Sequence, residues 1–255
     1  MIMAEVLDLR EVCKGKRTLV IGDAHGCFDE VAELQTLFRW NGLADVMVFT
    51  GDLIDRGPKI AHLVDLVKSA EDFYTVEGNH EDKFKRWMRQ QVTPPKKGNS
   101  PVHVGHALQM TIDDMKKRFA DPKRWAEMQQ WFEGLPTMIR ISDDIYVVHA
   151  GVSPAKPIEY QDKNDCIRIR NYAPPGYVPT EPWWNYWGEG QPTILFGHNV
   201  QPEAKISPAA YALDGGCVFG GELRGIEVID GKLGEVKSVR AKRVYYNRDH
   251  IKQDE

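Results

Sequence analysis

Five apolar segments of this chain each end in a small residue combined with residue types that bind metal ions. The first segment, Thr18–Ile21, is followed by Gly22, Asp23, Ala24 and His25. Residues two apart in an extended segment point the same way, so Asp23 and His25 can face one point beyond the strand end. A carboxylate beside an imidazole suits a divalent metal such as Mn, Fe or Zn.

A single Asp-x-His triplet is common by chance. It becomes evidence for a metal site because metal-binding residue types also follow the other four apolar segments. The groups that follow the later apolar segments are Asp52, Asn79 with His80, His149 and His198. These donors are too many for one tetrahedral site, so we expect two ions about 3.5–4 Å apart. Asp52 is central in the order and is the expected bridge between them.

The first part of the chain alternates between strand and helix patterns. Apolar runs at 18–21, 46–50 and 73–76 are separated by helical patterns at 29–40 and 60–68. This βαβαβ order predicts a parallel sheet covered by helices. Ligands of such sheets collect beyond the carboxyl ends of the strands, which is where the first three motifs lie.

The part of the chain after the βαβαβ unit predicts a second sheet, and the whole chain, 1–255, is expected to form a single domain. Helical patterns predict a cap insertion at about 82–133 without chemistry of its own, and strands are expected at 145–148 and 193–196. Glycine-rich turns break up 211–239, which predicts antiparallel strands of a second sheet. The fold class is therefore α/β.

Composition excludes several classes of protein. The net charge of -4 gives no global attraction to nucleic acid or to an anionic membrane, and no apolar segment is long enough to span a bilayer. The four scattered cysteines form no CxxC pair, which favours reduced thiols in a cytoplasm. No signal peptide is indicated at the amino terminus. We therefore expect a cytoplasmic protein with no membrane partner and no obligate nucleic-acid partner.

Two clusters have a functional and an ordinary interpretation. A basic group could steer an anionic polymer, although a solvated helix face is the commoner reason; its members are Lys83, Lys85, Arg86, Arg89, Lys96 and Lys97. An aromatic group could stack a nucleobase, although burial is the favoured interpretation; its members are Trp183, Trp184, Tyr186 and Trp187.

The ordered motifs GDAHG, GDLIDRGP, GNHE, HAG and GHN resemble the signature of the calcineurin-like metallophosphoesterases. The resemblance covers roughly residues 18–240 and lies in the branch of serine/threonine phosphoprotein phosphatases and symmetrical dinucleoside tetraphosphatases. It implies a four-layer α/β/β/α sandwich of two mixed sheets flanked by helices. It also implies two divalent ions, with Mn expected in assays and Fe, Zn, Ni or Co possible.

The resemblance assigns a role to each motif residue. The implied metal ligands are Asp23, His25 and Asp52 for one ion, and Asp52, Asn79, His149 and His198 for the other. Arg56 and Asn79 would gather phosphate oxygens, because a guanidinium fork meets two oxygens at once. A second arginine would be Arg168 or Arg170, which the spacing does not separate.

The same resemblance implies an acid for the leaving group. His80 would donate that proton, and Asp55 would orient His80 and keep it protonated.

The substrate is left open by the motifs. The runs GNHEDKFKRWMR, FGHNVQPE and LDGGCVFGGEL resemble the phosphatase module of bacterial polynucleotide kinase-phosphatases, yet no GxxxxGK[ST] motif for a kinase occurs. We expect a stand-alone phosphatase of broad scope that favours phosphomonoesters of nucleotides or nucleic-acid ends. The alternatives are phosphoprotein, dinucleoside tetraphosphate, and a catalytically silent phosphate-binding module, which would have lost a ligand.

Overall fold

The computed structural model describes residues 2–96, 98 and 100–251. The strands are β1 (Val6–Asp8), β2 (Arg17–Ile21), β3 (Asp45–Phe49), β4 (Phe73–Thr75), β5 (Met138–Arg140), β6 (Ile145–Val148), β7 (Asn171–Tyr172), β8 (Glu181–Pro182), β9 (Thr193–Phe196), β10 (Lys205–Ser207), β11 (Ala210–Ala212), β12 (Asp214–Gly215), β13 (Glu222–Ile229) and β14 (Lys232–Arg240). The helices are α1 (Arg10–Cys13), α2 (Phe28–Leu37), α3 (Ile60–Ser69), α4 (Asn79–Val92), α5 (His106–Arg118), α6 (Pro122–Glu133) and α7 (Lys163–Arg168).

The first sheet contains the predicted βαβαβ unit. Its strand order is β12-β13-β2-β3-β4, and β14 pairs with β13. Strands β2, β3 and β4 are parallel, as predicted, and α2 and α3 make the crossovers between them. Their carboxyl ends therefore lie at one edge, where Asp23, Asp52 and Asn79 follow.

The second sheet has the order β1-β5-β6-β9-β11-β10. The prediction that residues 211–239 form a second sheet of their own is wrong for most of the range, because β13 pairs antiparallel with β2 and extends the first sheet, and only β11 joins the second sheet. The second sheet is built instead around β6 and β9, which are parallel to each other. Each sheet mixes parallel and antiparallel pairs, so the predicted two mixed sheets are confirmed.

Alternating side chains of the central strands explain the layers. In β2, Leu19 and Ile21 pack under the helices, while Val20 joins Val147 and Leu195 in the core between the sheets. Strands buried on both faces read as continuous apolar runs, as β2 does. The outer face of the second sheet is covered by α7 and the tryptophan-rich segment. The result is the four-layer sandwich, and residues of the predicted insertion at about 82–133 lie in α5, α6 and the part of α4 that follows the GNHE motif.

The tryptophan group is part of that outer layer. Trp183, Trp184 and Trp187 are buried against Phe196, which confirms the favoured interpretation for these three residues. Tyr186 is exposed. None of the helices in the described ranges combines the length and apolar character needed to cross a bilayer.

Candidate metal centre

The strand ends of both sheets open on one cavity of about 630 Å³. Its walls contain most of the residues that the sequence singled out, namely Asp23, His25, Asp52, Asp55, Arg56, Asn79, His80, Arg168, Arg170 and His198. His149 follows β6 and is fully buried, with its Nε2 3.4 Å from Asp52 Oδ2. The two sheets therefore bring donors from distant parts of the chain to one place.

Two groups of possible ligands share Asp52. In each group, one ligand atom per residue lies within 4.8 Å of the others: His25, Asp52 and His80 form one group, and Asp52, His149 and His198 form the other. Asp52 Oδ2 lies 3.6 Å from His25 Nε2 and 3.8 Å from His80 Nε2. A carboxylate common to two donor groups is the arrangement that a bridging ligand requires.

Backbone carbonyls set the orientation of two imidazoles. His25 Nδ1 lies 2.6 Å from Ile54 O, and His149 Nδ1 lies 2.9 Å from Thr50 O. A carbonyl only accepts, so both Nδ1 atoms carry the hydrogen and both Nε2 atoms present a lone pair. This is the usual way that proteins orient histidine ligands of metals.

Asn79 and His198 complete the second group. Asn79 Oδ1 lies 2.9 Å from both His149 Nε2 and His198 Nδ1. Arg170 Nε donates to His198 Nε2 at 3.3 Å, and Arg56 Nη1 lies 3.1 Å from His25 Nε2. Two guanidinium cations therefore border the donor cluster.

Asp23 lies beside these groups rather than within either of them among the described residues. Its Oδ1 accepts from Thr50 Oγ1 at 3.0 Å, and its Oδ2 accepts from the His198 backbone N–H at 2.8 Å. Gly197 makes this possible, since an added Cβ would come 1.7 Å from Asp23 Oδ1. Each carboxylate oxygen keeps a second lone pair, so Asp23 remains a predicted ligand.

The electrostatics of the cluster fit divalent cations. Burial raises the pKa of Asp52 to about 8, and burial together with Asp214 and Asp52 raises the pKa of Asp23 well above its usual value. Burial lowers the pKa of His149 to about 4, so this imidazole is neutral. Buried carboxylates that repel one another, next to neutral imidazoles, have the donor chemistry of a site for Mn, Fe or Zn.

His80 forms a pair with Asp55. His80 Nδ1 lies 2.5 Å from Asp55 Oδ2, so Asp55 orients the ring as the resemblance implies. Burial and the Arg56 cation lower the pKa of His80 well below its usual value, which opposes the expectation that Asp55 keeps the ring protonated. In setting the pKa of His80, desolvation of the imidazolium therefore outweighs the contact with Asp55.

A side chain from the predicted insertion contacts this pair. Thr111 Oγ1, on α5, donates to Asp55 Oδ1 and accepts from the Asp55 backbone N–H at 2.9 Å. No local signal in the sequence distinguishes Thr111 from other polar residues of a helix.

The sequence also did not indicate that Glu81 supports the site and that Asp214 lines the cavity. Glu81 is fully buried and accepts from the backbone N–H groups of Asp52, Leu53 and Gly78, each at 2.9 Å. It thereby fixes the loop that carries Asp52. Asp214 lines the cavity and precedes a Gly-Gly turn, and that turn is the only sequence signal that marks it.

Backbone strain is concentrated at the site. Five of the seven described non-glycine residues with positive φ belong to it: His25 (41°), Asp52 (48°), Asp55 (67°), Arg56 (71°) and His198 (65°). Each such residue costs about 1–3 kcal/mol and persists only where its surroundings fix it.

The basic cluster divides into separate roles. Lys83 and Arg86 line the cavity. Lys85 is buried and pairs with Glu77 at 3.0 Å, and Arg89 pairs with Glu133 on α6. Lys97 lies outside the described residues. The interpretation as a uniformly solvated helix face therefore fails for Lys85.

Two mixed sheets bring oxygen and nitrogen donors together around a shared carboxylate with a rim of guanidinium groups, and this arrangement fits a metal-dependent hydrolase of phosphoric esters. The sequence profile of the calcineurin-like phosphoesterases matches residues 16–227, and the chain belongs to this family. The family uses divalent metal ions.

Relatives of known assignment are similar along most of their length. The asymmetrical bis(5'-nucleosyl)-tetraphosphatase PrpE of Bacillus subtilis is 29% identical over 224 residues, covering 81% of this chain and 88% of that protein. The symmetrical bis(5'-nucleosyl)-tetraphosphatase of Coxiella burnetii is 25% identical, covering 84% and 89%. A solved structure provisionally assigned as a diadenosine tetraphosphatase has 25% identity and a TM-score of 0.72, covering 93% of this chain and 98% of that one.

Proposed function

We propose that this protein hydrolyses dinucleoside tetraphosphates with two divalent ions bridged by Asp52. The observation that carries the proposal is the combination of a shared carboxylate with six cationic side chains around one cavity. These are Arg56, Lys83, Arg86, Arg168, Arg170 and Arg248. Arg86 and Arg168 share the one carboxylate of Asp82, so the group keeps an excess of positive charge, which suits a chain of several phosphates better than a single phosphate. The names of the relatives support the same substrate class.

The proposed ligands are those that the motifs predict. Asp23, His25 and Asp52 would hold one ion, and Asp52, Asn79, His149 and His198 the other. When bound, such a pair of divalent ions supplies a nucleophilic water at neutral pH and neutralises charge on the phosphate. Glu81 holds the Asp52 loop through three backbone N–H groups, so the bridging carboxylate keeps its position.

Arg56 and Arg170 would bind the phosphate oxygens. Arg56 Nη1 lies 3.1 Å from His25 Nε2, and Arg170 Nε lies 3.3 Å from His198 Nε2, the ring nitrogen that does not face Asn79 and His149. Both guanidinium groups therefore lie at the edge of the donor cluster, where they would meet the phosphate oxygens of a bound substrate. Arg56 is held beside Phe219, with its guanidinium carbon 5.4 Å from the ring centroid.

Of the two arginines that the spacing left open, Arg170 is the proposed phosphate ligand. Arg168 Nη2 donates to Asp82 Oδ2 at 2.5 Å, so this guanidinium is already held by a carboxylate. Within the described chain Arg170 has no carboxylate partner within 4.0 Å.

Replacing Arg170 with alanine is therefore expected to lower kcat/KM by about 10- to 100-fold, the equivalent of one charged hydrogen bond. Arg168→Ala should lower it by less than about fivefold, since this guanidinium is already held by the Asp82 carboxylate. The control is Arg240→Ala, at the exposed end of β14. A larger loss for Arg168→Ala would reverse the assignment.

Phosphomonoesters of nucleotides, nucleic-acid ends or proteins are the second candidate class. The contact between His80 and Asp55 favours it, because an alkoxide leaving group needs a proton whereas a phosphate anion does not.

A substrate panel tests the proposal. With Mn²⁺, we expect diadenosine tetraphosphate to have a higher kcat/KM than a phosphopeptide, an RNA 3′-phosphate or a generic phosphomonoester. Chelator should abolish all activity. Chromatography of the products separates cleavage to two diphosphates from cleavage to a triphosphate and a monophosphate. A preference for any monoester would overturn the substrate assignment, and the absence of Mn-stimulated turnover on every substrate would favour the silent binding module.

A further inference from the structure

A second cluster of metal-ligand types lies beside the catalytic cavity. One ligand atom from each of Cys27, Glu30 and Cys217 lies within 4.8 Å of the other two. All three side chains are buried, with relative exposures of 0%, 0% and 1%. Cys27 and Glu30 are three residues apart at the start of α2, which puts them on one face of the helix. Cys217 begins the short 3-10 helix Cys217–Phe219.

The glutamate is the unusual member of this cluster. Glu30 Oε1 accepts from Tyr245 Oη at 2.7 Å and from the Lys242 backbone N–H at 3.1 Å. Within the described part of the chain, Glu30 Oε2 is buried and has no hydrogen-bond partner. A buried carboxylate oxygen without a partner costs free energy, so something that is not part of the protein chain is expected to contact it.

We propose that Cys27, Glu30 and Cys217 bind a thiophilic divalent cation such as Zn²⁺, at a site distinct from the catalytic pair. Two thiolates and a carboxylate are donors that Zn²⁺ accepts, and three protein ligands with one further position is a known zinc arrangement. The cation would bind Glu30 Oε2, the oxygen that the protein leaves without a partner. This proposal does not depend on the proposed substrate.

Two ordinary explanations fit the cluster less well. Buried thiols often pack as small apolar groups, but a carboxylate does not belong in such a contact. A disulfide between Cys27 and Cys217 would leave Glu30 Oε2 without a partner. A cation would contact both sulfurs and Glu30 Oε2, and so accounts for all three side chains together.

The location gives the cation a structural role. Cys27 follows His25 by two residues, and Cys217 follows Asp214 by three. A cation bound to both sulfurs would therefore fasten together two of the loops that build the catalytic cavity. Tyr245 and Lys242 cover the site, so loading is expected while the chain folds.

Cobalt is the probe that separates this site from the catalytic one. Thiolate ligands give Co²⁺ an intense charge-transfer band in the near ultraviolet, whereas nitrogen and oxygen ligands do not. We expect this band in the full chain produced in cobalt-supplemented medium. Cys27→Ser and Cys217→Ser should each remove it, with loss of about one equivalent of bound cobalt. Glu30→Gln should weaken cobalt retention against a chelator by about tenfold or more.

Cys13→Ser and Cys166→Ser are the matched controls, because both thiols are free and buried elsewhere. They should keep the band. A wild-type protein that is saturated with cobalt but lacks the band overturns the proposal, as does a band that survives in the Cys27→Ser, Cys217→Ser double variant. Two thiols missing from a titration of the unfolded chain would indicate a disulfide and also contradict the proposal. If a serine variant does not fold, the wild-type spectrum and Glu30→Gln decide.

Discussion

Replacing Asp52 with asparagine is expected to lower metal-dependent kcat/KM by about 1,000-fold or more, since a bridging ligand supports several kcal/mol of charge stabilisation. Asp52 is the residue common to both donor groups, so its loss affects both ions. The measurement is turnover of diadenosine tetraphosphate with saturating Mn²⁺. Asp113→Asn, an exposed substitution on α5, is the control and should keep full activity. Retained activity in Asp52→Asn would remove the bridging role.

The same substitution, which lowers activity, should raise the stability of the metal-free protein. Burial raises the pKa of Asp52 to about 8, above the value of an unfolded aspartate. Stability without metal therefore falls as the pH rises from about 4 toward 8, because the unfolded chain releases this proton first. Asparagine does not titrate, so metal-free Asp52→Asn should melt at a higher temperature than wild type at pH 7. Mn²⁺ should stabilise the wild type and have little effect on the variant. A lower melting temperature for the metal-free variant would contradict this account of the site.

Replacing His80 with asparagine is expected to lower hydrolysis of an alkyl phosphate by about 100-fold or more, the usual contribution of a general acid. The loss with p-nitrophenyl phosphate should be smaller than about tenfold, because p-nitrophenolate leaves with little help from a proton. The same should hold for diadenosine tetraphosphate, whose leaving group is a phosphate anion. Asp55→Asn should reproduce the pattern more weakly, since Asp55 only orients the ring.

His62→Asn is the matched control for this series, since His62 is an exposed histidine on α3. Because burial lowers the pKa of His80, the ring is neutral before substrate binds and must gain a proton to act as an acid. Equal losses on all three substrates would instead make His80 a positioning residue of the metal centre.

The meeting of the candidate ligands at one place could be predicted from the sequence, whereas the sheet to which each later strand belongs could not. Each predicted ligand follows a strand whose apolar run is readable without any partner, and parallel strands necessarily end at one edge. Pairing between β13 and β2 joins residues about two hundred positions apart, and nothing in the local pattern of 222–229 indicates which sheet receives it. The hairpin of β13 and β14 was predictable, and its place in the molecule was not.

The missed residues act through backbone and side-chain contacts that have no periodic signal. Glu81 was visible in the GNHE motif, but its three backbone partners lie in loops that only the fold brings together. Thr111 reaches Asp55 across 56 positions of the chain. The lowered pKa of His80 was also unpredictable, because it depends on burial and on the position of Arg56.

In the proposed metal centre, two neighbouring ions share the carboxylate of Asp52. Electron paramagnetic resonance of the Mn²⁺-loaded protein tests it directly, since two Mn²⁺ ions bridged by one carboxylate are magnetically coupled and isolated ions are not. We predict about two Mn²⁺ per chain with a coupled spectrum in the wild type, and no coupled spectrum in Asp52→Asn. A wild-type protein that binds a single Mn²⁺, or two that remain uncoupled, would contradict the claim.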